Sequence, residues 1–266
     1  MIHWLIQSLD DCPEIVRGDA TLGWLSASEQ ERLAGIKFEK RRHDWLLGRW
    51  TAKNLVQRRL AESTGVASAL DMIFIGADAD GAPYAARYEG RGAKGKSLER
   101  LPVSLSISHS HGTAFCGLVD LSPVERSGDV EMQGGRPLPF APRPSLGCDL
   151  ERVEPREGNF LDNFFTAEEV SAARALREQD AARSEILTTA IWSGKEAALK
   201  ALREGLRIDT RRIICRFDPY DVPPQAWTPF TVVVDDRLAA QFPGAWSAWW
   251  RVSDCFALTM ALLEDA

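Results

Sequence analysis

The order of predicted elements most constrains the fold of this chain, because the same order occurs twice. In each half a strand comes first, helices follow it, and further strands end the series. Up to residue 120, hydrophobic periodicity and capping residues predict elements at about residues 1–7, 26–36, 40–63, 73–75, 103–107 and 114–119. After residue 144 they predict elements at about residues 145–151, 182–202, 213–217, 230–234 and 246–263, with one more helix before residue 182. No sequence repeat is evident, but the shared order predicts an α+β fold of two pseudo-symmetric α/β subdomains.

The segment between the two halves is rich in proline, glycine, serine and charged residues over positions 123–144. A structureless loop of this length is uncommon inside a compact domain and is typical of a linker or an insertion. We therefore expect an N-terminal subdomain over 1–120, a flexible linker or insertion over 121–144 and a C-terminal subdomain over 145–266. A second glycine- and lysine-rich stretch, residues 87–100, predicts a mobile loop.

A pair of carboxylates marks the first strand after the linker, in the motif G-C-D-L-E at residues 147–151. On a strand, Asp149 and Glu151 point to one face while Cys148 and Leu150 point to the other. Two adjacent carboxylates repel each other unless a positive group lies between them, and Mg²⁺ takes carboxylate, phosphate and water oxygens. The pattern therefore indicates either a metal site or an edge strand with a solvated acidic face.

A second motif, W-S-G-K-E-A-A-L-K at residues 192–200, lies in the predicted helix 182–202. Trp192, Glu196 and Lys200 share one stripe of such a helix, and Lys195 borders that stripe. Glu196 could complete a metal site, and Lys200, one turn further on, could bind a phosphate. The alternative is an exposed Glu–Lys pair at i,i+4, which stabilises a helix by roughly 0.2–0.5 kcal/mol.

Taken in order, the motifs resemble those of the 4'-phosphopantetheinyl transferases, specifically the larger surfactin-synthetase-activating type. The family motifs G-[IV]-D-[IVL]-E, F-F-x-x-x-E and W-x-x-K-E-[AS]-x-x-K are similar to residues 147–151, 164–169 and 192–200. Weaker similarities lie upstream, at Glu31-Arg32, 46–49 (L-L-G-R), 81–84 (G-A-P-Y) and 106–110 (S-I-S-H-S). The chain departs from the family at Ala82, where Lys or Arg is usual, and at Ser106, where Asn is common.

The resemblance implies an enzyme of the holo-[acyl-carrier-protein] synthase type, with its active site in the cleft between the subdomains. Such an enzyme moves the 4'-phosphopantetheine arm of coenzyme A onto a serine hydroxyl of an apo acyl or peptidyl carrier protein and releases adenosine 3',5'-bisphosphate. The resemblance assigns Mg²⁺ to Asp149, Glu151 and Glu196. It assigns coenzyme A to Arg32, Arg49, Ser108, His109 and Lys200. Glu196 or Lys195 would assist deprotonation of the serine, and the sequence does not separate the two.

The chemistry of the reaction requires the same kinds of groups, independently of the resemblance. Cleavage of a pyrophosphate by a hydroxyl needs charge neutralisation on the phosphate oxygens and a metal bridging them. It also needs a nucleophile in line and a group that takes its proton.

Net charge and cysteine usage limit which kinds of partner and which cellular compartment fit this chain. A net charge of −6 over 266 residues argues against nucleic-acid or anionic-membrane binding through bulk charge. The five cysteines are scattered and lack C-x-x-C spacing, which predicts free thiols in a reducing compartment. No signal peptide and no apolar stretch long enough to span a bilayer is evident, so we expect a cytoplasmic protein. The resemblance implies a monomer.

Two other functions remain open at this point. A non-catalytic protein that binds coenzyme A or a carrier is suggested by Ala82 and the long linker. A Mg²⁺-dependent hydrolase of another nucleotide ligand would use the same carboxylates without a carrier protein.

Overall fold

The computed structural model describes residues 1–19, 22–89, 97–121, 132–133, 136–137, 144–156, 159–218, 220 and 222–265. In the first half the elements are β1 (Ile2–Ser8), α1 (Pro13–Arg17), α2 (Ala27–Ala34), α3 (Glu39–Thr64), β2 (Ile73–Ala77), β3 (Pro83–Tyr88), β4 (Leu98–Arg100), β5 (Val103–Ser110) and β6 (Thr113–Asp120). Two short paired strands follow, β7 (Met132–Gln133) and β8 (Arg136–Pro137). In the second half they are β9 (Ser145–Arg152), α4 (Phe160–Phe164), α5 (Ala167–Gln179), α6 (Ala181–Ala201), β10 (Ile213–Arg216), β11 (Thr228–Pro229), β12 (Thr231–Val234), α7 (Asp236–Gln241), β13 (Ala245–Ser253) and β14 (Phe256–Glu264).

Each half is an antiparallel sheet covered by a long helix. The first sheet has the order β1-β6-β5, and the second has the order β11-β13-β14-β9. Helix α3 packs on β1, β5 and β6, and helix α6 packs on β9 and β14. A smaller sheet accompanies each of them, β2-β3-β4 in the first half and β10-β12 in the second. The predicted α+β fold with two pseudo-symmetric halves is therefore confirmed.

The two halves share an apolar core where their sheets meet. Phe115 and Val119 of β6 pack in one buried cluster with Leu146, Cys148 and other residues of β9 and β14. Strands β5 and β9 lie side by side at this junction. Because the contact surface is a packed core, the junction holds the two halves in one arrangement.

A buried lysine–glutamate pair occupies the same place in each half. Glu29, in the first turn of α2, accepts from the backbone N–H of Ser26 and from Lys53 of α3, and it also accepts from the N–H of Ile75 in β2. The Lys53 Nζ lies 2.5 Å from the Glu29 carboxylate, and both side chains are almost wholly buried. A buried charge of this kind is tolerated only when it is paired and hydrogen-bonded.

The second half repeats these contacts atom for atom. Glu169, in the first turn of α5, accepts from Thr166, from Lys195 of α6 and from the N–H of Cys215 in β10. With the structure as a guide, W-T-A-K-N at 50–54 aligns with W-S-G-K-E at 192–196. This short correspondence was not evident from the sequence alone, because only the tryptophan and the lysine are shared.

Four local findings complete the comparison with the sequence. Part of the stretch predicted as a mobile loop is strand, because residues 87–88 end β3 and 98–100 form β4, while 90–96 lie outside the described residues. Most of the predicted linker, residues 121–144, also lies outside them. All five cysteines are free, as predicted. No helix in the described part of the chain is both long enough and apolar enough to cross a membrane.

Candidate active site between the two halves

The junction of β5 and β9 is joined by serine hydroxyls. Ser104 and Ser106 project from the same face of β5, because they are two residues apart. The Ser104 Oγ accepts from the N–H of Leu146 at 3.0 Å, and the Ser106 Oγ accepts from the N–H of Cys148 at 2.9 Å. Both serines are buried. The hydroxyls thus satisfy backbone donors on β9 that would otherwise be buried without partners.

The next serine of the series reaches the acidic motif. The Ser108 Oγ donates to the Asp149 Oδ1 at 2.8 Å, and the Lys200 Nζ of α6 donates to the same oxygen at 2.7 Å. Asp149 is 3% exposed, and its Oδ2 is buried with no hydrogen-bond partner among the described residues. The first half, the second sheet and α6 therefore meet at a single carboxylate that keeps one acceptor atom free.

Helix α6 reaches Asp149 because β9 carries a glycine beneath it. A Cβ at Gly147 would collide with the carbonyl oxygen of Ala197 and the backbone of Ala201. With glycine at 147, the helix backbone lies directly on the strand. This close approach brings Glu196 and Lys200 over the end of β9.

The charge of Lys200 is stabilised by this arrangement. Burial by itself lowers the pKa of an ammonium group, but the Asp149 carboxylate opposes that effect, and the pKa of Lys200 is raised. The Nζ also donates to the carbonyl of Cys148 at 3.1 Å. Lys200 is therefore a fixed cation beside the free oxygen of Asp149.

Glu151 lies on the same face of β9 and has two donors of its own. Its carboxylate accepts from the Trp192 Nε1 and from the Arg156 guanidinium, both at 3.3 Å. Burial and the nearby Asp149 charge raise the pKa of Glu151, although Arg156 and Trp192 oppose the shift.

Glu196 is the least stabilised of the three carboxylates. No side-chain hydrogen bond holds it within the described residues, and burial together with the Asp149 charge raises its pKa to about 7. Glu151 adds to this shift and Lys200 opposes it. The predicted metal ligands thus form one electrostatically coupled cluster with excess negative charge.

The donor set fits a hard divalent cation. Carboxylate oxygens from Asp149, Glu151 and Glu196 are the ligands that Mg²⁺ takes, and the unpartnered Asp149 Oδ2 is a free acceptor. Within the residues that the structure describes, no three His, Cys, Asp or Glu side chains converge closely enough to form a ready-made metal shell. The cluster is therefore an acidic surface that a cation bound with a phosphate ligand would complete.

Lys195, the other candidate for serine deprotonation, lies elsewhere. Its side chain is fully buried, its Nζ lies 2.9 Å from the Glu169 carboxylate, and it donates to the carbonyl of Thr210 at 2.9 Å and to that of Ile213. The structure does not bring it to the carboxylate cluster. Of the two groups left open by the sequence, only Glu196 faces Asp149 and Lys200.

The predicted coenzyme residues of the first half line an adjacent groove. Arg49 and His109 border it together with Arg41 and Trp45. The Arg49 Cζ lies 3.7 Å from the centre of the Trp45 ring, and burial lowers the pKa of Arg49 to about 10, so its guanidinium stays charged at neutral pH. Arg32 is exposed on α2, and its charge contributes to that shift. Arg32 and Ser108 are the exceptions: neither lines the groove, and the Ser108 hydroxyl is directed to Asp149.

A cavity of about 240 Å³ connects this groove to Lys200. Its walls come from both halves, with Leu105, Ile107 and Leu146 beside the turn between β2 and β3. Arg203, just after α6, lies at its edge with a φ of 61°, a left-handed conformation that costs an L-residue roughly 1–2 kcal/mol. The sequence analysis missed this residue, and its spacing of three from Lys200 was the one available signal.

Comparison with known families identifies the second half of this arrangement. Residues 145–253 match the model of the 4'-phosphopantetheinyl transferase superfamily. The matched segment contains β9, α6 and all three carboxylates of the cluster. The match thus covers the segment that carries the predicted acidic and helical motifs. No curated protein sequence matches the chain.

Two solved structures align with part of this chain. A holo-(acyl-carrier-protein) synthase from Bacillus anthracis str. Ames, in complex with CoA (3',5'-ADP), aligns at 18% identity over 46% of this chain and 96% of that chain, with a TM-score of 0.37. The ACPS–CoA complex of Chronobacterium ammoniagenes aligns at 15% identity over 46% of this chain and 97% of that chain, with a TM-score of 0.34.

Proposed function

We propose that this protein transfers the 4'-phosphopantetheine arm of coenzyme A to a serine hydroxyl of an apo acyl or peptidyl carrier protein. The observation that carries the proposal is the cluster of Asp149, Glu151 and Glu196 beside Lys200, inside the segment that matches the transferase superfamily. The serine oxygen forms a bond to the phosphorus that bears the pantetheine arm. The bond from that phosphorus to the leaving oxygen breaks, and adenosine 3',5'-bisphosphate departs.

Asp149, Glu151 and Glu196 would hold Mg²⁺, which when bound neutralises charge on the phosphate oxygens of coenzyme A. Lys200 supplies a permanent positive charge at the same place, because Asp149 keeps it protonated. An ammonium next to a phosphate stabilises the negative charge that collects on the leaving group.

Glu196 is the residue best suited to accept the serine proton. It lies beside Asp149 and Lys200 in the cluster, and no side-chain hydrogen bond holds it within the described residues. The burial of Lys195 against Glu169 supports Glu196 in this role.

The groove beside the cluster suits the nucleotide part of coenzyme A. Arg41, Arg49 and His109 line it, and Arg32 lies nearby, so cationic groups are available to its phosphates. The Arg49–Trp45 stack holds one of these cations in a defined orientation. Because one chain supplies both walls of the cleft, we assign it to the larger, two-half type of transferase and expect a monomer.

The experiment combines purified protein, Mg²⁺ and coenzyme A with a panel of apo carrier proteins, each of which is then weighed intact by mass spectrometry. We expect a mass gain of one phosphopantetheine arm on at least one carrier, lost when the metal is chelated. Asp149→Asn should abolish the gain, and Glu178→Gln, an exposed carboxylate on α5, should leave it unchanged. Coenzyme binding without a gain on any carrier would instead identify a binding protein. Release of adenosine 3',5'-bisphosphate without an acceptor would identify a hydrolase.

A further inference from the structure

Arg203 makes a contact that crosses from the second half of the molecule to the first. Its guanidinium donates to Asp78 at 2.7 Å and to Asp80 at 2.8 and 2.9 Å, and both aspartates lie in the turn between β2 and β3. Arg100 of β4 binds the same Asp78 through two hydrogen bonds of 2.9 and 2.8 Å. We call these four residues the clasp.

The clasp is one of two groups of hydrogen bonds that join the halves among the described residues. The other group lies along β5 and β9 and includes the bonds of Ser104, Ser106 and Ser108 to β9. The cavity lies between the two groups, with Lys200 and Arg203 both on its walls. The clasp therefore closes the side of the cleft that the β5–β9 junction leaves open.

The turn that Arg203 holds also forms part of the ligand groove. Gly81 and Pro83 of this turn line both the cavity and the basic groove, and Ala82 between them carries no charge. Within the turn, the N–H of Ala82 donates to the Asp80 side chain at 3.0 Å. The position of the Asp80 side chain is thus coupled directly to the backbone that lines the cavity and the groove.

The charges of the clasp favour a positioning role over a phosphate site. Two arginines face two aspartates, so the cluster is neutral and each guanidinium is already paired with a carboxylate. The Arg203 side chain is only 16% exposed. Bidentate arginine–carboxylate contacts fix geometry more strongly than single exposed ion pairs do.

We propose that Arg203 is a positioning residue that holds the β2–β3 turn against the end of α6 and so sets the shape of the coenzyme cleft. The proposal rests on the function proposed above. In a chain that has Ala82 where a basic residue is usual in the family it resembles, the turn contributes shape and backbone to the cleft. Its position then depends on the clasp.

The primary test is the steady-state kinetics of Arg203→Gly, because glycine adopts the positive φ at this position without strain. We expect KM for coenzyme A to rise roughly tenfold while kcat stays within about twofold, since the turn shapes binding and does not touch the reacting atoms. Arg211→Gly is the matched control, because Arg211 is an exposed arginine whose ion pair is with Asp209, two residues away in the chain. An unchanged KM, or a loss confined to kcat, would overturn the proposal.

Calorimetric binding of coenzyme A tests the partner assignment through a double-mutant cycle of Arg203→Ala and Asp80→Asn. We expect the losses of the two single variants to be less than additive in the combined variant, because both variants disrupt the Arg203–Asp80 contact. Additive losses would show that the two residues act separately and would contradict the clasp.

Amide hydrogen exchange in the free protein separates this proposal from the proposed function. Arg203→Gly should accelerate exchange over residues 76–84 and leave α3 and β14 unaffected, whereas Arg211→Gly should leave exchange over residues 76–84 unchanged. If the wild-type protein modifies no carrier but this local effect is present, the transferase assignment fails and the clasp stands. If exchange is unchanged, the clasp fails whatever the reaction.

Discussion

At the scale of single residues, the site is a set of carboxylates in which charge is only partly balanced. Asp149 has a lysine and a serine on one oxygen and no partner on the other. Glu151 has Arg156 and Trp192. Glu196 has no such support, and its pKa is about 7. Without a bound cation, the ionised form of this residue therefore weakens the folded state.

Glu196→Gln should therefore stabilise the metal-free protein. The folded-state pKa of about 7 lies above the ordinary 4.5, so the folded state binds more protons than the unfolded state between these values. The free energy of unfolding thus falls as pH rises from about 4.5 through 7, and glutamine removes this loss. At pH 8 in EDTA we expect the Tm to rise by a few degrees, each kcal/mol corresponding to roughly 2–4 °C at this chain length.

The same variant should lose transfer activity by roughly 10²–10⁴-fold, the usual contribution of a general base. Glu178→Gln on the surface of α5 is the control for both measurements. A Glu196→Gln protein that is less stable than wild type at pH 8, or a difference that persists below pH 4.5, would contradict the assigned pKa.

At the scale of elements, the buried lysines allow a structural role to be tested separately from a chemical one. Lys195→Met should destabilise the protein by about 3–5 kcal/mol, because it leaves the Glu169 carboxylate buried and unpaired. Adding Glu169→Gln should recover part of this loss, since the glutamine keeps an acceptor for Thr166. The measurement is the free energy of unfolding in urea. If Lys195→Met stays as stable as wild type and loses only activity, Lys195 belongs to the chemistry after all.

The contact of α6 with β9 leads to a second prediction at this scale. Gly147→Ala forces the helix away from the strand, which should cost roughly 1–3 kcal/mol or more of stability. Displacement of Glu196 and Lys200 by about 1 Å should lower kcat by about 100-fold, more than the loss of stability explains. Circular dichroism melts and kinetics on the same preparation would test this. Gly35→Ala, where a Cβ meets only an ordinary contact, is the control.

The sequence predicted these elements well where their geometry is local. Alternation along β9 puts Asp149 and Glu151 on one face, and helical spacing puts Glu196 and Lys200 on one stripe, so their proximity could be predicted. The roles of Lys195 and Glu196 could not be separated, because these neighbours differ only in which partner each faces after folding. Arg203 was missed for a similar reason, since its partners lie in a distant turn of the other half.

At the scale of the whole molecule, the pseudo-symmetry shows which residues of the first half correspond to the three carboxylates of the second half. Gln7 and Glu151 both pair with the second residue of the neighbouring strand, Ala114 in β6 and Ala257 in β14. By the same register Leu5 corresponds to Asp149, and Asn54 follows Lys53 as Glu196 follows Lys195. The first half thus has two amides and a leucine where the second half has three carboxylates.

We therefore expect one Mg²⁺ per chain and not two. Isothermal titration in the presence of coenzyme A should give a single site, which Asp149→Asn removes and Gln7→Ala leaves intact. A second equivalent ion that survives Asp149→Asn would contradict this reading of the symmetry.

The internal pseudo-symmetry also bears on how such a chain can evolve. In an assembly of identical subunits, a substitution appears in every subunit. A change that improves one site is therefore made at all equivalent sites. Joining the copies in one polypeptide removes that constraint. One junction can keep its charged chemistry under selection, while the other is free to acquire mutations that alter recognition or abundance.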